Sequence, residues 1–337
     1  MATINDVCKA AGVSKATVSR VLNGNGQVKE STRQAVLATM QQLGYQPNTL
    51  AQALATNTSH AIGLSLPHFQ SSYFGSVLHH AEQGAHQAGK KLLVVNGKNS
   101  AQGEREALQT LANQRCDTIM IYSRHLTESE LTQWQQTHAI PLVVLNRRFS
   151  TTAIASFGLD QIQLATLAMQ HLLTLGHRAI ACLTSPLNSE TGQLRFAAYQ
   201  QQLAQSNIEP NPDLIVAGDN SLNSGYHATQ QLLTRGVNFS AIFACNDDMA
   251  IGAIRALHEH GLHVPRDIAV VGIDNEPAAA YGIPSLSTVA LPIVELTQAA
   301  TQCAVILANK QPVTSLHHTY LGQLIVRESS ISAQSSA

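Results

Sequence analysis

Eight residues of the chain carry the chemistry of a polyol-binding site: Tyr73, Phe74, Asn146, Asp160, Arg195, Asn220, Asn246 and Asp274. Six of them present planar amide, carboxylate or guanidinium groups, which form paired hydrogen bonds to vicinal hydroxyls. The other two offer aromatic surface for a sugar ring. Each follows a short apolar run in the sequence, and ligands of open α/β sheets sit beyond the carboxyl ends of the strands. Polar residues end strands in any α/β protein, so residue type alone leaves each assignment open.

A second constellation lies near the start. Residues 1–60 hold five Lys/Arg against two acids, whereas the remainder holds 15 basic and 19 acidic residues, for a net charge of −1 overall. A basic head on an acidic body predicts that the head alone meets a polyanion. Within that head Lys15, Thr17, Ser19 and Arg20 crowd one short segment. Arg20 is long enough to reach a base edge, and Thr17 and Ser19 can bond phosphates.

The elements that must position these residues can be read from periodicity. Thr3 can cap a helix whose apolar stripe is Ile4, Val7, Cys8 and Ala11, closed at Gly12. Ser14 can cap a second helix, Lys15 to Leu22, with Val18, Val21 and Leu22 inward. A third, about Ser31 to Leu43, buries Val36, Met40 and Leu43. Two short helices joined by a tight Gly-containing turn make a helix-turn-helix, the alternative being a small helical cap domain. From residue 61 the period changes. Apolar runs at 61–66, 91–95, 117–122 and 140–145 alternate with helix-length segments, and 179–183, 214–217, 241–244 and 268–272 repeat the pattern. Runs apolar on both faces are buried parallel strands with crossover helices. Two such halves predict two doubly wound lobes with a cleft between them.

The residues also carry a family resemblance. The run ATINDVCKAAGVSKATVSRVLN (2–23), and LGYQPN (43–48) followed by Leu50, Ala51, Leu54 and Ala55, resemble the LacI/GalR transcriptional repressors. The resemblance covers nearly the whole chain. Within the family, NGK (96–98), EREAL (104–108), RCDTIMIY (115–122) and VLNRR (144–148) look most like the galactose and β-glucoside (cellobiose, arbutin, salicin) repressors. It implies an all-α helix-turn-helix head and an α/β periplasmic-binding-protein-like body of two doubly wound lobes. It implies base reading by Lys15, Ala16 and Arg20, with Asn23 at the edge of the contact surface. Arg195 in QLRFAAY (193–199), Asn246 in CNDDMAIG (245–252) and Asp274 in VVGID (270–274) look like the family's effector-binding positions.

The expected domains are 1–47 for DNA binding, 48–60 for a hinge helix and linker, and 61–337 for effector binding and dimerisation. In the last, the chain crosses between lobes near 160, 290 and 321. The first lobe then holds about 61–160 and 291–321, and the second about 161–290 and 322–331. Asn48 can cap a helix ending near Thr56, too short to be stable alone. Packed on a second copy and on DNA, it would contact DNA through Ala51 and insert Leu54 as a minor-groove wedge, the alternative being an ordinary linker. Three departures from the family stand out. Gln52 replaces a common Arg, Asn275 replaces the second acid of the usual Gly-x-Asp-Asp run, and Asn220 replaces a common aromatic residue, leaving Phe74 as the main stacking face.

The expected partners are operator DNA, a sugar or glycoside effector and a second copy of the chain, with no membrane. Arg147 and Arg148 read first as surface ion-pairing residues and second as a holder for a sugar phosphate. Alternative functions are a cytoplasmic sugar-binding protein or a co-repressor-dependent regulator that responds to a sugar phosphate. The five cysteines are far apart and odd in number, and no secretory signal or spanning apolar run is present, so a cytoplasmic chain with reduced thiols is expected. The 15 histidines lack metal-ligand spacing, and Gly24 to Gly26 lacks the strand of a dinucleotide fingerprint. Asp247, Asp248, Asp274 and Glu276 could form a glycosidase pair only if their spacing suited one. The expectation is therefore no enzyme, no catalytic residues, no metal and no cofactor.

Overall fold

The computed structural model describes residues 2–23, 27–46, 58–149 and 153–331. The chain divides into two compact units, Met1–His60 and Ala61–Ala337. In the first, Thr3 and Asp6 form a reciprocal capping box at the start of α1 (Ile4–Ala11), and Gly12 ends it at φ 64°. Ser14 Oγ accepts from the Thr17 N–H at 3.2 Å and so caps α2 (Lys15–Asn23). Helix α3 (Glu30–Leu43) completes the unit. Val7, Val18, Val21, Val36 and Met40 are its buried core. Leu43 is not part of that core: it lies in the last turn of α3, 38% exposed.

The second unit holds two six-stranded sheets. In chain order the first lobe contributes β1 (Ala61–Leu66), α4 (Ser72–Gln87), β2 (Lys91–Asn96), α5 (Ala101–Asn113), β3 (Thr118–Tyr122), α6 (Glu128–His138), β4 (Leu142–Leu145) and β5 (Ala155–Leu159). The second contributes α7 (Gln161–Thr174), β6 (Ile180–Thr184), α8 (Glu190–Gln205), β7 (Ile215–Ala217), α9 (Leu222–Arg235), β8 (Ala241–Ala244), α10 (Asp247–Glu259), β9 (Ala269–Asp274), α11 (Pro277–Tyr281) and β10 (Ser287–Ala290). Then follow α12 (Ile293–Ala308), β11 (His317–Tyr320) and β12 (Gln323–Ile325). The sheet orders are β11-β5-β4-β3-β1-β2 and β12-β10-β9-β8-β6-β7. All pairings are parallel except β10 with β12.

The chain passes from one sheet to the other after β5, after β10 and between β11 and β12. Two of these crossings are tied together. Gln163 donates to the Gly322 carbonyl at 3.1 Å and accepts from its N–H at 3.0 Å. A side chain at Gly322 would strike Leu164 Cδ2 at 2.2 Å and the Ala290 carbonyl at 2.9 Å, so only glycine fits. The central strands are buried on both faces, which is why they read as continuous apolar runs. β11 (HHTY) is a polar edge strand paired only to β5, and neither it nor β12 belongs to an apolar run.

Candidate nucleic-acid interface and effector cavity

On α2 the exposed face carries Lys15, Ala16 and Arg20. Thr17 and Ser19 are half-buried beside it, and the Thr17 hydroxyl lies 3.0 Å from Ser14 Oγ. The inward face is Val18 and Val21, so core packing alone turns the basic and short residues outward. Asn23 is the last residue of the helix. Ala51 and Leu54, like Asn48 and Gln52, lie outside the described residues.

In the second unit a cavity of about 750 Å³ opens at the carboxyl ends of the strands of both sheets. Tyr73, Phe74, Asn146, Arg195, Asn220, Asn246 and Asp274 all line it. Asp160 does not. Its carboxylate caps α7 by accepting from the Gln163 N–H at 3.1 Å and faces Arg148 Nη1 at 3.3 Å, so its acceptors are committed to the crossing. The expectation of a ligand contact there is corrected on that ground.

The second-lobe wall is a continuous network. Buried Arg195 donates through Nε to Gln161 at 2.8 Å and through Nη1 to the Cys245 carbonyl, and its Nη2 lies 3.8 Å from Asp274 Oδ1. Gln161 in turn donates to Asn146 Oδ1 at 3.3 Å, and Asn146 donates to Thr191 Oγ1 at 3.4 Å. The network therefore runs from the first lobe, through a crossing residue, to the second. Asn246 caps α10 through the Met249 N–H and donates to the Asn220 carbonyl at 3.0 Å. Ser185 donates to Asn220 Oδ1 at 2.6 Å. Asn146 and Asn220 hold left-handed backbones at φ 67° and 69°, a conformation asparagine tolerates better than most residues.

Asp274 itself sits at φ 131°, followed by Asn275 at φ 55°. Such geometry persists only where its surroundings fix it. Here the fixing group is the buried carboxylate of Asp247, which accepts from Thr288 Oγ1 at 2.5 Å and from the Glu276 N–H at 2.9 Å. Thr288 also accepts from the Asn275 N–H at 3.3 Å, and Arg327 holds the Asn275 side chain at 2.7 Å. Burial raises the Asp274 carboxyl well above its ordinary value, although the Arg195 guanidinium opposes the shift. Burial also pushes Asp247 up to about 7 and raises Asp248 and Glu276.

The first-lobe wall is aromatic. Phe74 meets His68, Tyr73 and Tyr122 edge-on at centroid distances of 4.7, 5.1 and 5.0 Å. The Arg124 guanidinium carbon lies 5.6 Å from the Phe74 centroid and 5.4 Å from that of Tyr122. With Phe74 only 3% exposed, it is a packed member of this cluster rather than the open stacking face expected from sequence. Tyr122 donates to the Tyr73 hydroxyl at 3.5 Å, and burial holds the Tyr73 phenol far above its usual pKa, so it stays protonated.

Several lining residues escaped the reading of the sequence: His68, Tyr122, Arg124, His125, Ser185 and Asp219 among them. The signal for three of them was present. Tyr122 ends a recognised strand run, and Arg124 and His125 follow it, where strand-end logic places ligand contacts. Arg147 and Arg148 do not line the cavity. Arg147 binds Glu190 at 2.7 Å and the Leu126 carbonyl at 2.5 Å, and Arg148 faces Asp160, so the phosphate-holding reading of this pair is corrected. Among the described residues no group of three or more His, Cys, Asp or Glu could hold a metal ion, and no helix is long and apolar enough to cross a membrane.

A three-helix head with a basic exposed face, joined to a two-lobed body around a polar cavity, is the build of a ligand-responsive regulatory protein. Residues 3–48 match the model of bacterial regulatory proteins of the lacI family, and residues 169–330 match a periplasmic binding protein-like domain. The HTH-type transcriptional regulator AscG of Escherichia coli (strain K12) is 40% identical over 333 residues, covering 98% of this chain and 99% of its own. The Lac repressor dimer bound to operator and the anti-inducer ONPF superposes with a TM-score of 0.88 at 30% identity, over 98% of this chain and 99% of that one. The transcriptional regulator CelR in complex with cellobiose gives 0.73 at 27% identity, over 98% and 100%. The chain belongs to the lacI family of bacterial regulatory proteins, and is a helix-turn-helix transcriptional regulator.

Proposed function

We propose that this protein is a cytoplasmic repressor of a sugar-utilisation operon. It binds a palindromic operator as a homodimer and leaves it when a sugar or β-glucoside occupies the cavity. The observation that carries the reading is the hydrogen-bond relay Asn146–Gln161–Arg195–Asp274, which joins the two lobes through groups suited to sugar hydroxyls. A ligand that takes over these donors and acceptors changes what holds the lobes together, and that differential binding is what an allosteric switch requires. Similarity to a repressor solved on its operator and to a regulator solved with cellobiose supports both halves of the reading. The protein acts by binding, without turnover.

In this reading Lys15, Ala16 and Arg20 read bases, Thr17 and Ser19 position the phosphate backbone, and Asn23 edges the contact. Ala51 and Leu54 serve the minor groove. Two-fold symmetry of the dimer imposes a pseudo-palindromic site. The test is a DNA selection with the full chain, repeated with cellobiose, salicin, galactose or a sugar phosphate present. Enrichment of one palindrome that is lost with one sugar is expected. Failure to enrich any sequence, or release of hydrolysed sugar, overturns the proposal. Arg20→Ala should cost about 1–3 kcal/mol of sequence discrimination in competition binding while leaving the thermal unfolding of the body unchanged.

A further inference from the structure

The two arginines of the cavity are held differently. Arg195 is enclosed by an amide, a carbonyl and the Asp274 carboxylate. Arg124 donates from Nη1 to Asn99 Oδ1 at 3.2 Å and lies against two rings, and among the described residues no carboxylate pairs with it. A guanidinium has five donors, so most of its capacity is uncommitted. Beside it, His125 lines the cavity with its Nε2 buried and without a hydrogen-bond partner. A buried polar atom left unpaired is costly and calls for an acceptor or donor that the protein alone does not supply.

The turn that carries both residues is rigidly built. The buried carboxylate of Glu104 on α5 accepts from Ser123 Oγ at 2.7 Å and from the N–H groups of Arg124, His125 and Leu126 at 2.8, 3.1 and 3.1 Å. Four donors on one carboxylate fix the turn before any ligand arrives. The carboxylates lining the cavity (Asp219, Asp248, Asp274 and Glu276) all come from the second lobe, opposite this turn. A neutral sugar satisfies the acidic wall and leaves Arg124 without a counter-charge.

We propose that Arg124 and His125, set by Glu104, form a subsite for an anionic group on the effector, making the ligand a phosphorylated sugar or a uronide. The proposal rests on the assignment of this cavity to a sugar effector. The acidic wall takes the ring hydroxyls, and the phosphate or carboxylate lies on the Arg124 fork, so the two walls orient the ligand end to end.

The test is calorimetric titration of the full chain with a matched set: phenyl β-glucoside, its 6-phosphate and phenyl β-glucuronide, with inorganic phosphate as competitor. One or both anionic glycosides should bind about 10- to 100-fold more tightly than the neutral one, as expected for hydrogen bonds to a charged group. Whichever of the two is preferred identifies the anion. Arg124→Gln should erase the preference and Arg124→Lys should retain part of it, with thermal unfolding of each variant reporting folding. In the wild-type chain the preference should also shrink with added salt, a readout that needs no variant. Equal or tighter binding of the neutral glycoside overturns the anionic subsite while leaving the sugar reading standing. If no member of the set binds, both fall.

Discussion

The two walls of the cavity are built on different principles. On the second-lobe side Arg195, Asp274, Asn246 and Asn220 are bonded to one another or to backbone, and a ligand must compete with contacts already made. On the first-lobe side Arg124 rides on an aromatic cluster, and both it and His125 keep free hydrogen-bonding capacity. The difference separates two tasks within one site. The bonded wall joins the lobes and, on the proposed reading, is where a ligand changes an equilibrium, whereas the open wall would choose the ligand without disturbing the protein's own network.

Breaking the bonded wall should have the largest effect. Arg195→Ala leaves Gln161, the Cys245 carbonyl and Asp274 without their buried partner, and should lower the stability of the body by about 3–5 kcal/mol in denaturant unfolding. A loss below 1 kcal/mol would show that the network is not what holds the second-lobe wall. On the open wall Glu104→Gln turns one of two acceptor oxygens into a donor that faces two of the turn's four donors, with an expected cost of about 1–3 kcal/mol and weaker ligand binding.

The third prediction concerns pH. The Asp247 carboxyl is raised from 3.8 to about 7 by burial, so its contribution to stability is fully present below pH 3.8 and is lost as pH rises toward 7. Asp247→Asn should flatten the fall of the body's melting temperature between about pH 4 and 7, and an unchanged slope would place the titration elsewhere. The smallest effect is expected at the rim. Arg147 and Glu190 join the lobes through a partly exposed ion pair, and Glu190→Ala, which leaves Arg147 its bond to the Leu126 carbonyl, should cost no more than about 1 kcal/mol in denaturant unfolding, less at high salt.

Much of this molecule is local in origin. Thr3, Ser14, Gly12 and Gly44 start and stop the helices of the head by chemistry confined to a few residues, so periodicity and caps sufficed to place α1 and α2. The apolar runs of the central strands are equally legible, because a strand buried on both faces has no reason to alternate. Strand-end position likewise pointed to seven of the eight proposed effector residues that line the cavity. Leu43 departs from its helical spacing, which suits the core: it lies 38% exposed in the last turn of α3, and Tyr45 beyond it packs on the core instead.

Tertiary structure decided the rest. β11 is a strand only because β5 offers it an edge, and HHTY has no apolar period to announce that. Asp160 has the residue type and strand-end position of a ligand contact, yet the start of α7 and Arg148 claim its oxygens. Nor does the spacing of Glu104 and Ser123 to Leu126 reveal that one buried carboxylate gathers four donors from a turn about twenty residues away. Sequence determined which segments become helices and strands and which chemistry their ends carry, because those preferences act over a few residues. Which polar groups are consumed by the fold and which stay available to a ligand was settled only when distant segments met, because a hydrogen bond is allotted by proximity in space and not along the chain.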